Sequence, residues 1–336
     1  MTKSHTEIMR IILSRTDSIG DVVLTLPMTG VLKETFPECT IIFLGRNYTR
    51  PVIEACRFVD RFVDLDEISK PGMLAGALAE LKADVIIHVF PVKEICKAAR
   101  AAMIPQRIAT SHRAFTWYTC NQLLHFSRKN SNLHEVQLSL KLLGPLGIKR
   151  EFGLAEIPQY YGLKGQLPVL REGDSKPKFR LILHPKSKGS AREWGLENFG
   201  KLIDLLPPEK FSITVTGTSE EGELMRDFLL SHKGRINDMT GRLSLSELLE
   251  FIASCDGLVA ASTGPLHLAA AFGILAIGLY APMRPIFPQR WAPLGDKACF
   301  LVLDRNCSDC RHSGNCHCIR SIAPEMVLEQ LTKGIK

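Results

Sequence analysis

Residues 15–27, RTDSIGDVVLTLP, follow the apolar run Ile8–Leu13 and place Asp17 and Asp21 on either side of Gly20. A short apolar run, a polar loop with a glycine and a second apolar run read as strand, turn and helix, the opening of a βαβ unit. The strand should end at Ser14, so the loop sits at its carboxyl end, where sheets of this kind bind ligands. Gly20 permits close backbone approach to whatever binds there. Asp21 falls at the first helical turn, where the helix dipole and open amides favour a carboxylate's charge. Either aspartate can also simply cap a helix, and Asp17 is read that way.

Working outward, short apolar runs alternate with helical patterns along the whole chain, which argues for parallel sheets covered by helices. The first half offers strands at Ile8–Leu13, Thr40–Gly45, Arg61–Leu65, Asp84–Phe90 and Arg107–Thr110. Helices are predicted near Asp21–Thr35, Pro51–Cys56, Pro71–Leu81, Val92–Ala102 and Leu133–Leu143. Residues 151–178 carry glycine, proline and mixed charge without periodicity. The pattern then resumes with strands Arg180–His184, Phe211–Gly217, Gly257–Ala261 and Leu275–Tyr280. Helices Leu196–Leu206, Glu220–His232, Ser246–Ser254 and Pro265–Phe272 lie between them. The expectation is an α/β protein with two doubly wound, Rossmann-like domains and a cleft between them. A first domain at 1–155, a linker at 156–178, a second domain at 179–322 and a terminal helix at 323–336 folding back towards the first domain complete it.

Size and composition agree. A chain of 336 residues suits two domains, and 45% hydrophobic with 23% charged residues excludes a disordered or fibrous protein. The net charge of +7 suits an anionic substrate, a lipid headgroup layer or nucleic acid without choosing among them. No nucleic-acid module signature is present, so nucleic acid is not expected as a partner. The start, MTKSHTEIMRIILSR, lacks the long apolar run and cleavage site of a signal peptide, so a cytoplasmic location is expected. Residues 257–282, GLVAASTGPLHLAAAFGILAIGLYAP, are uncharged over a length that could span a bilayer. The Ser262-Thr263-Gly264-Pro265 turn inside them favours strand, turn, buried helix and strand instead.

Three loops of the second domain follow predicted strands. HPKSKGSAREW (184–194) offers backbone amides with Lys186, Ser187, Lys188 and Arg192 to a diphosphate, although it lacks the Walker ending. Solvated basic side chains are its plainer reading. In VTGTSEEGE (215–223), Glu220 and Glu221 suit a helix start and can also accept hydrogen bonds from ribose hydroxyls. In AASTGPLHLAAAFG (260–273), the amides after Thr263, Gly264 and Pro265 open an anion site within reach of His267, which otherwise reads as a buried structural histidine.

Together, RTDSIGDVVLTLP, HPKSKGSAREW and STGPLHLAAAFG resemble the heptosyltransferases of lipopolysaccharide assembly, glycosyltransferase family 9, in order and spacing. The resemblance implies a GT-B fold, with acceptor bound mainly by the first domain and nucleotide sugar by the second. It implies inverting transfer of heptose from ADP-heptose to a Kdo- and heptose-bearing lipid A acceptor, with Asp21 as the catalytic base. Arg192, before Trp194, matches the family's basic residue; Thr263, Gly264 and His267 match its phosphate-binding turn; Glu221, with Glu220 as the other candidate, matches its ribose contact. Many members carry Asp before the Thr-Gly pair, where this chain has Ser262. That departure bears on which nucleotide sugar is used.

Asp17, Ser18 and Gly20 are placed on the acceptor side of the same loop. Residues 101–150 hold seven Lys or Arg against Glu135 alone, interleaved with Phe115, Trp117, Tyr118 and Phe126. Such a surface, with Arg113 and Arg128 as its acceptor-binding candidates, suits an anionic glycolipid and peripheral contact with the inner membrane. A solvated basic face over aromatic core residues is the alternative. Cys307, Cys310, Cys316 and Cys318, in CSDCRHSGNCHC, offer a possible structural zinc site, although the second pair is spaced by one residue only. Catalysis itself needs no cofactor. Other nucleotide sugars or glycans, a GT-B-shaped sugar-nucleotide epimerase and a non-catalytic binding module are the competing functions.

Overall fold

The computed structural model describes residues 8–70, 72–128, 130–163, 178–189, 191–303 and 316–335. The chain divides into two compact units, residues 1–163 and 164–336. Each is built on one parallel sheet of six strands.

In the first unit the strands are β1 (Arg10–Ser14), β2 (Thr40–Gly45), β3 (Arg61–Asp64), β4 (Val85–His88), β5 (Gln106–Thr110) and β6 (Gln122–Leu124). Their order is β3-β2-β1-β4-β5-β6. Ile11, Ile12 and Leu13 are wholly buried because helices cover both faces of the sheet. The second unit repeats the plan with β7 (Phe179–His184), β8 (Phe211–Val215), β9 (Ile236–Asp238), β10 (Gly257–Ala261), β11 (Leu275–Tyr280) and β12 (Ala298–Val302). Their order is β12-β11-β10-β7-β8-β9. The strand order therefore reverses between β1 and β4 in one sheet and between β7 and β10 in the other, and these are the positions at which doubly wound sheets take ligands.

β6, β9 and β12 are absent from the sequence-based reading. All three lie at sheet edges, where strands are short and only partly buried, so the hydrophobic signal fades. Two predicted helices are each two. Asp21–Thr35 is Ile19–Val23 followed by Pro27–Thr35, since Pro27 supplies no amide hydrogen for a continuous ladder. Glu220–His232 is Ser219–Leu224 followed by Arg226–Ser231, interrupted at Met225.

The boundaries of the predicted linker need correction. A 3₁₀ helix at Leu154–Tyr160 packs onto the helix Pro27–Thr35 of the first unit. A Cβ on Gly30 would lie 2.5 Å from the carbonyl oxygen of Tyr160, so only glycine admits this approach. The Tyr160 hydroxyl donates to Glu34 at 3.0 Å, and Leu163 bridges to Cys56. The first unit thus runs to Leu163, and residues 164–177 lie outside the described residues. The terminal helix Pro324–Ile335 belongs to the second unit. It packs on the helix Leu196–Leu205 and on β11 and β12 of its own unit, because Val327 and Leu331 are buried in that unit's core.

The uncharged stretch at 257–282 is β10, the helix Gly264–Ala271 and β11, with seven of the eight helical residues buried. Among the described residues, no helix is long and apolar enough to cross a membrane.

Candidate active site

At the β1/β4 switch point, Ser14 is in register with His88. Arg15 follows Ser14 directly and is buried, its side chain 3% exposed. Its guanidinium meets Asp17 at 2.6 Å, binds Asp21 Oδ1 and lies 3.6 Å from Glu135. Burial by itself would lower the Arg15 pKa, but Asp21, Asp17 and Glu135 together outweigh it and the pKa is raised. Ser18 Oγ donates to Asp21 Oδ2 at 2.5 Å. The Asp21 side chain, 18% exposed, is thus gripped through both oxygens while keeping an open side. Each carboxylate oxygen has further acceptor capacity, so a substrate hydroxyl can still donate to it. Burial raises the pKa of Asp17, with Arg15 opposing.

Arg128 spends its charge inward. It pairs with the buried Glu135, and its Nη2 donates to the Val89 carbonyl at 2.9 Å. Arg113 is exposed and stacks on Phe90, 4.6 Å from guanidinium carbon to ring centroid. Arg15 lies against the same ring at 5.8 Å. Of the two acceptor candidates, Arg113 faces solvent and Arg128 holds the loop after β4. Gly20 lies within the short helix Ile19–Val23, and the exposed Ser18 is its N-cap residue. Trp117 and Tyr118 are exposed, at 68% and 51%. The aromatics of this segment are therefore not all core.

At the β7/β10 switch point, His184 is in register with Ala260. The loop after β7 carries Lys186, paired with Glu193 at 2.7 Å, and Ser187, whose hydroxyl donates to the Ala191 carbonyl at 2.9 Å. Lys188 adopts φ +47° and Gly189 φ +80°, which turn the loop tightly. Arg192 is half-buried, and Trp194 beside it is locked in the core by an indole hydrogen bond of 2.8 Å to Ile322. A cavity of about 320 Å³ is lined by Lys186, Lys188, Gly189, Glu193, Thr218, Glu220, Glu221 and Leu224. Two of the three predicted donor loops therefore meet in one pocket.

The two glutamates differ. Glu221 is buried and closes a capping box, accepting from the Thr218 amide at 2.8 Å. Glu220 is exposed, and its own amide first, then the Thr218 hydroxyl and the Lys188 charge, hold its carboxyl below the usual range. The structure accordingly gives Glu221 a helix-capping duty and leaves Glu220 open to a ligand.

The third loop leads from β10 into the helix Gly264–Ala271. Thr263 is its N-cap residue and Pro265 lies in its first turn. The Thr263 hydroxyl is buried yet makes no hydrogen bond among the described residues. His267, one turn in, is buried, and its amide bonds the Thr263 carbonyl at 3.3 Å.

Sequence reasoning missed Arg15, Glu135, Phe90 and His184. His184 Nδ1 lies 3.0 Å from the Thr216 hydroxyl, and burial keeps its pKa low despite Glu221. The available signal was position: Arg15, Phe90 and His184 all stand at or just beyond the carboxyl end of a central strand. Of the cysteine cluster, Cys316 and Cys318 are buried in the core of the second unit, while Cys307 and Cys310 lie outside the described residues.

Two doubly wound sheets, one carrying a fixed carboxylate and the other a basic pocket at its switch point, have the architecture of the GT-B fold. The family model for glycosyltransferase family 9 (heptosyltransferase) matches residues 91–333, and the chain belongs to that family. It is a glycosyltransferase. A Haemophilus influenzae protein named only as a glycosyltransferase is 27% identical over 85% of this chain and 86% of its own. Lipooligosaccharide heptosyltransferase 2 of the same organism is 23% identical over 97% of this chain and 99% of its own. Among solved structures, E. coli ADP-heptose lipopolysaccharide heptosyltransferase II superimposes with a TM-score of 0.76 at 18% identity, covering 97% of this chain and 98% of its own.

Proposed function

We propose that this enzyme transfers heptose from ADP-heptose to a lipopolysaccharide inner-core acceptor bearing Kdo and heptose on lipid A, with inversion at the anomeric carbon. Asp21 accepts the proton of an acceptor hydroxyl as its oxygen attacks that carbon, and the bond from the carbon to the ADP oxygen breaks in the same displacement. A single base suffices, because the hydroxyl becomes acidic as it attacks. The observation that carries this reading is the fixed yet accessible Asp21 carboxylate, held by Arg15 and Ser18 at a sheet's switch point.

ADP leaves with growing negative charge, which Lys186, Lys188, Arg192, His267 and the amides after Thr263 stabilise. These groups supply the positive charge that a metal brings in other transferases, so catalysis requires no cofactor. Glu220 takes the ribose hydroxyls, with Glu221 setting the turn that presents it. Asp17, Ser18, Gly20 and Arg113 meet the acceptor, and Arg128 holds the loop that carries Phe90. The exposed Arg113, Trp117 and Tyr118 suit an anionic glycolipid approached at the cytoplasmic face of the inner membrane.

Purified enzyme supplied with ADP-, GDP- and UDP-sugars and a Kdo-lipid A acceptor tests the reading. ADP release coupled to one heptose of added acceptor mass is expected from ADP-heptose alone. Faster transfer from another nucleotide sugar overturns the donor assignment. Ser262, standing where the family resemblance leads to an expectation of Asp, is the residue that favours this second reading.

A further inference from the structure

We propose that His88, Cys96 and Cys120 form a zinc-binding site inside the first unit, separate from the Asp21 site and from the 307–318 cysteine cluster. One imidazole nitrogen and the two sulfurs all lie within 4.8 Å of one another, and all three residues are buried. They come from distant stretches: the end of β4, the first turns of the helix Lys93–Ala101, and the junction between the helix Ala114–Thr119 and the edge strand β6. Neither ring nitrogen of His88 has a hydrogen-bond partner among the described residues, although its exposure is 0%. An imidazole buried without partners is costly, and a ligand on one nitrogen removes half of that debt.

The donor set selects the ion. One imidazole and two thiols exclude magnesium and calcium, which take oxygen ligands, and fit zinc. Two thiolates cancel the charge of Zn²⁺, so the occupied site carries no net charge into the core. Zinc–sulfur bonds of ~2.3 Å put tetrahedral sulfurs about 3.8 Å apart, so small inward movements close the site. The three residues are all of the donors that a zinc site with three protein ligands requires.

On binding, each thiol gives its proton to solvent and no redox change occurs. The ion would tie three chain segments together at His88, the residue before Val89 and Phe90, which hold Arg128 and Arg113.

The test uses the full chain carrying C307S/C310S, purified without chelator, so that the other cluster does not contribute. About one zinc per chain is expected, replaceable by Co²⁺ with a thiolate-to-cobalt charge-transfer band and tetrahedral d–d bands. Adding C96S/C120S removes both bands, and H88Q alone weakens zinc binding at least about tenfold. A folded C307S/C310S protein that binds no metal overturns the proposal. So does unchanged zinc affinity in folded H88Q, which decides the matter if C96S/C120S does not fold. A Cys96–Cys120 disulfide in fresh protein, seen as a loss of two hydrogens by mass spectrometry, overturns it as well.

Discussion

The two switch points share a topology and differ in how they handle charge. Beside β1, two arginines pair with three carboxylates largely out of water: Arg15 and Arg128 with Asp17, Asp21 and Glu135. Beside β7, charge is left at the wall of an open pocket, with Lys188 and Glu220 exposed. The contrast fits the two roles proposed for these sites. Ion pairs out of water fix a carboxylate's direction, which suits a group that must meet one hydroxyl in one geometry. Charges kept in solvent cost little without ligand and remain available to a diphosphate.

The sharpest way to break this contrast is Asp21→Asn. If the first site does proton chemistry and the second does binding, kcat falls roughly 10²–10⁴-fold. ADP affinity measured by calorimetry should stay unchanged, and a parallel loss of ADP binding would merge the two roles. Next is Glu135→Gln, which leaves Arg15 and Arg128 short of a buried carboxylate. A destabilisation of about 3 kcal/mol in urea unfolding is expected, where a shift within error would make the network ornamental. Arg192→Ala probes the other side: about 10–100-fold weaker ADP binding, as for loss of a charge-assisted hydrogen bond, with an unchanged unfolding midpoint.

The smallest effects are also opposite in sign. His184 is held neutral, its pKa lowered by burial. Below about pH 6.5 the unfolded chain takes a proton there that the native state refuses, so stability falls as pH falls, by up to about 1.4 kcal/mol per pH unit. Asp17 has a pKa raised by burial above the ordinary aspartate value. Its contribution is complete below that value and is lost as pH rises through the native pKa. Unfolding of His184→Asn and Asp17→Asn against the parent between pH 4 and 7 reads both. The His184 variant should gain on the parent towards acid and the Asp17 variant towards neutrality, the latter by less than about 1 kcal/mol. Matching trends would erase the distinction between the two sites.

Much of this was legible in the chain. Central strands such as β2, β10 and β11 carry continuous apolar runs with turn residues after them, and their predicted bounds match the structure residue for residue. The loops after β1, β7, β8 and β10 were readable as candidate sites for the same reason, since they follow strands that had to be buried. Of the four edge strands only β3 was legible, as Arg61–Leu65, whereas β6, β9 and β12 were not, because a strand with one neighbour and an open side needs no strong pattern. The segment 154–163 read as linker because its attachment to the first unit rests on Gly30, Glu34 and Cys56, residues more than a hundred positions away.

What the sequence by itself determined is local: two trains of alternating strands and helices, and the loops in which Asp21, Lys186, Arg192, Glu220 and Thr263 would sit. Periodicity and turn chemistry act over a few residues, so they are written in order along the chain. Tertiary structure alone decided which of those groups are spent on one another. Arg15 reaching Glu135, Arg128 reaching the same carboxylate and His88 meeting two cysteines are all products of packing. Burial makes each partnership compulsory, because a charge or imidazole removed from water must find its counterpart among whatever neighbours the fold supplies.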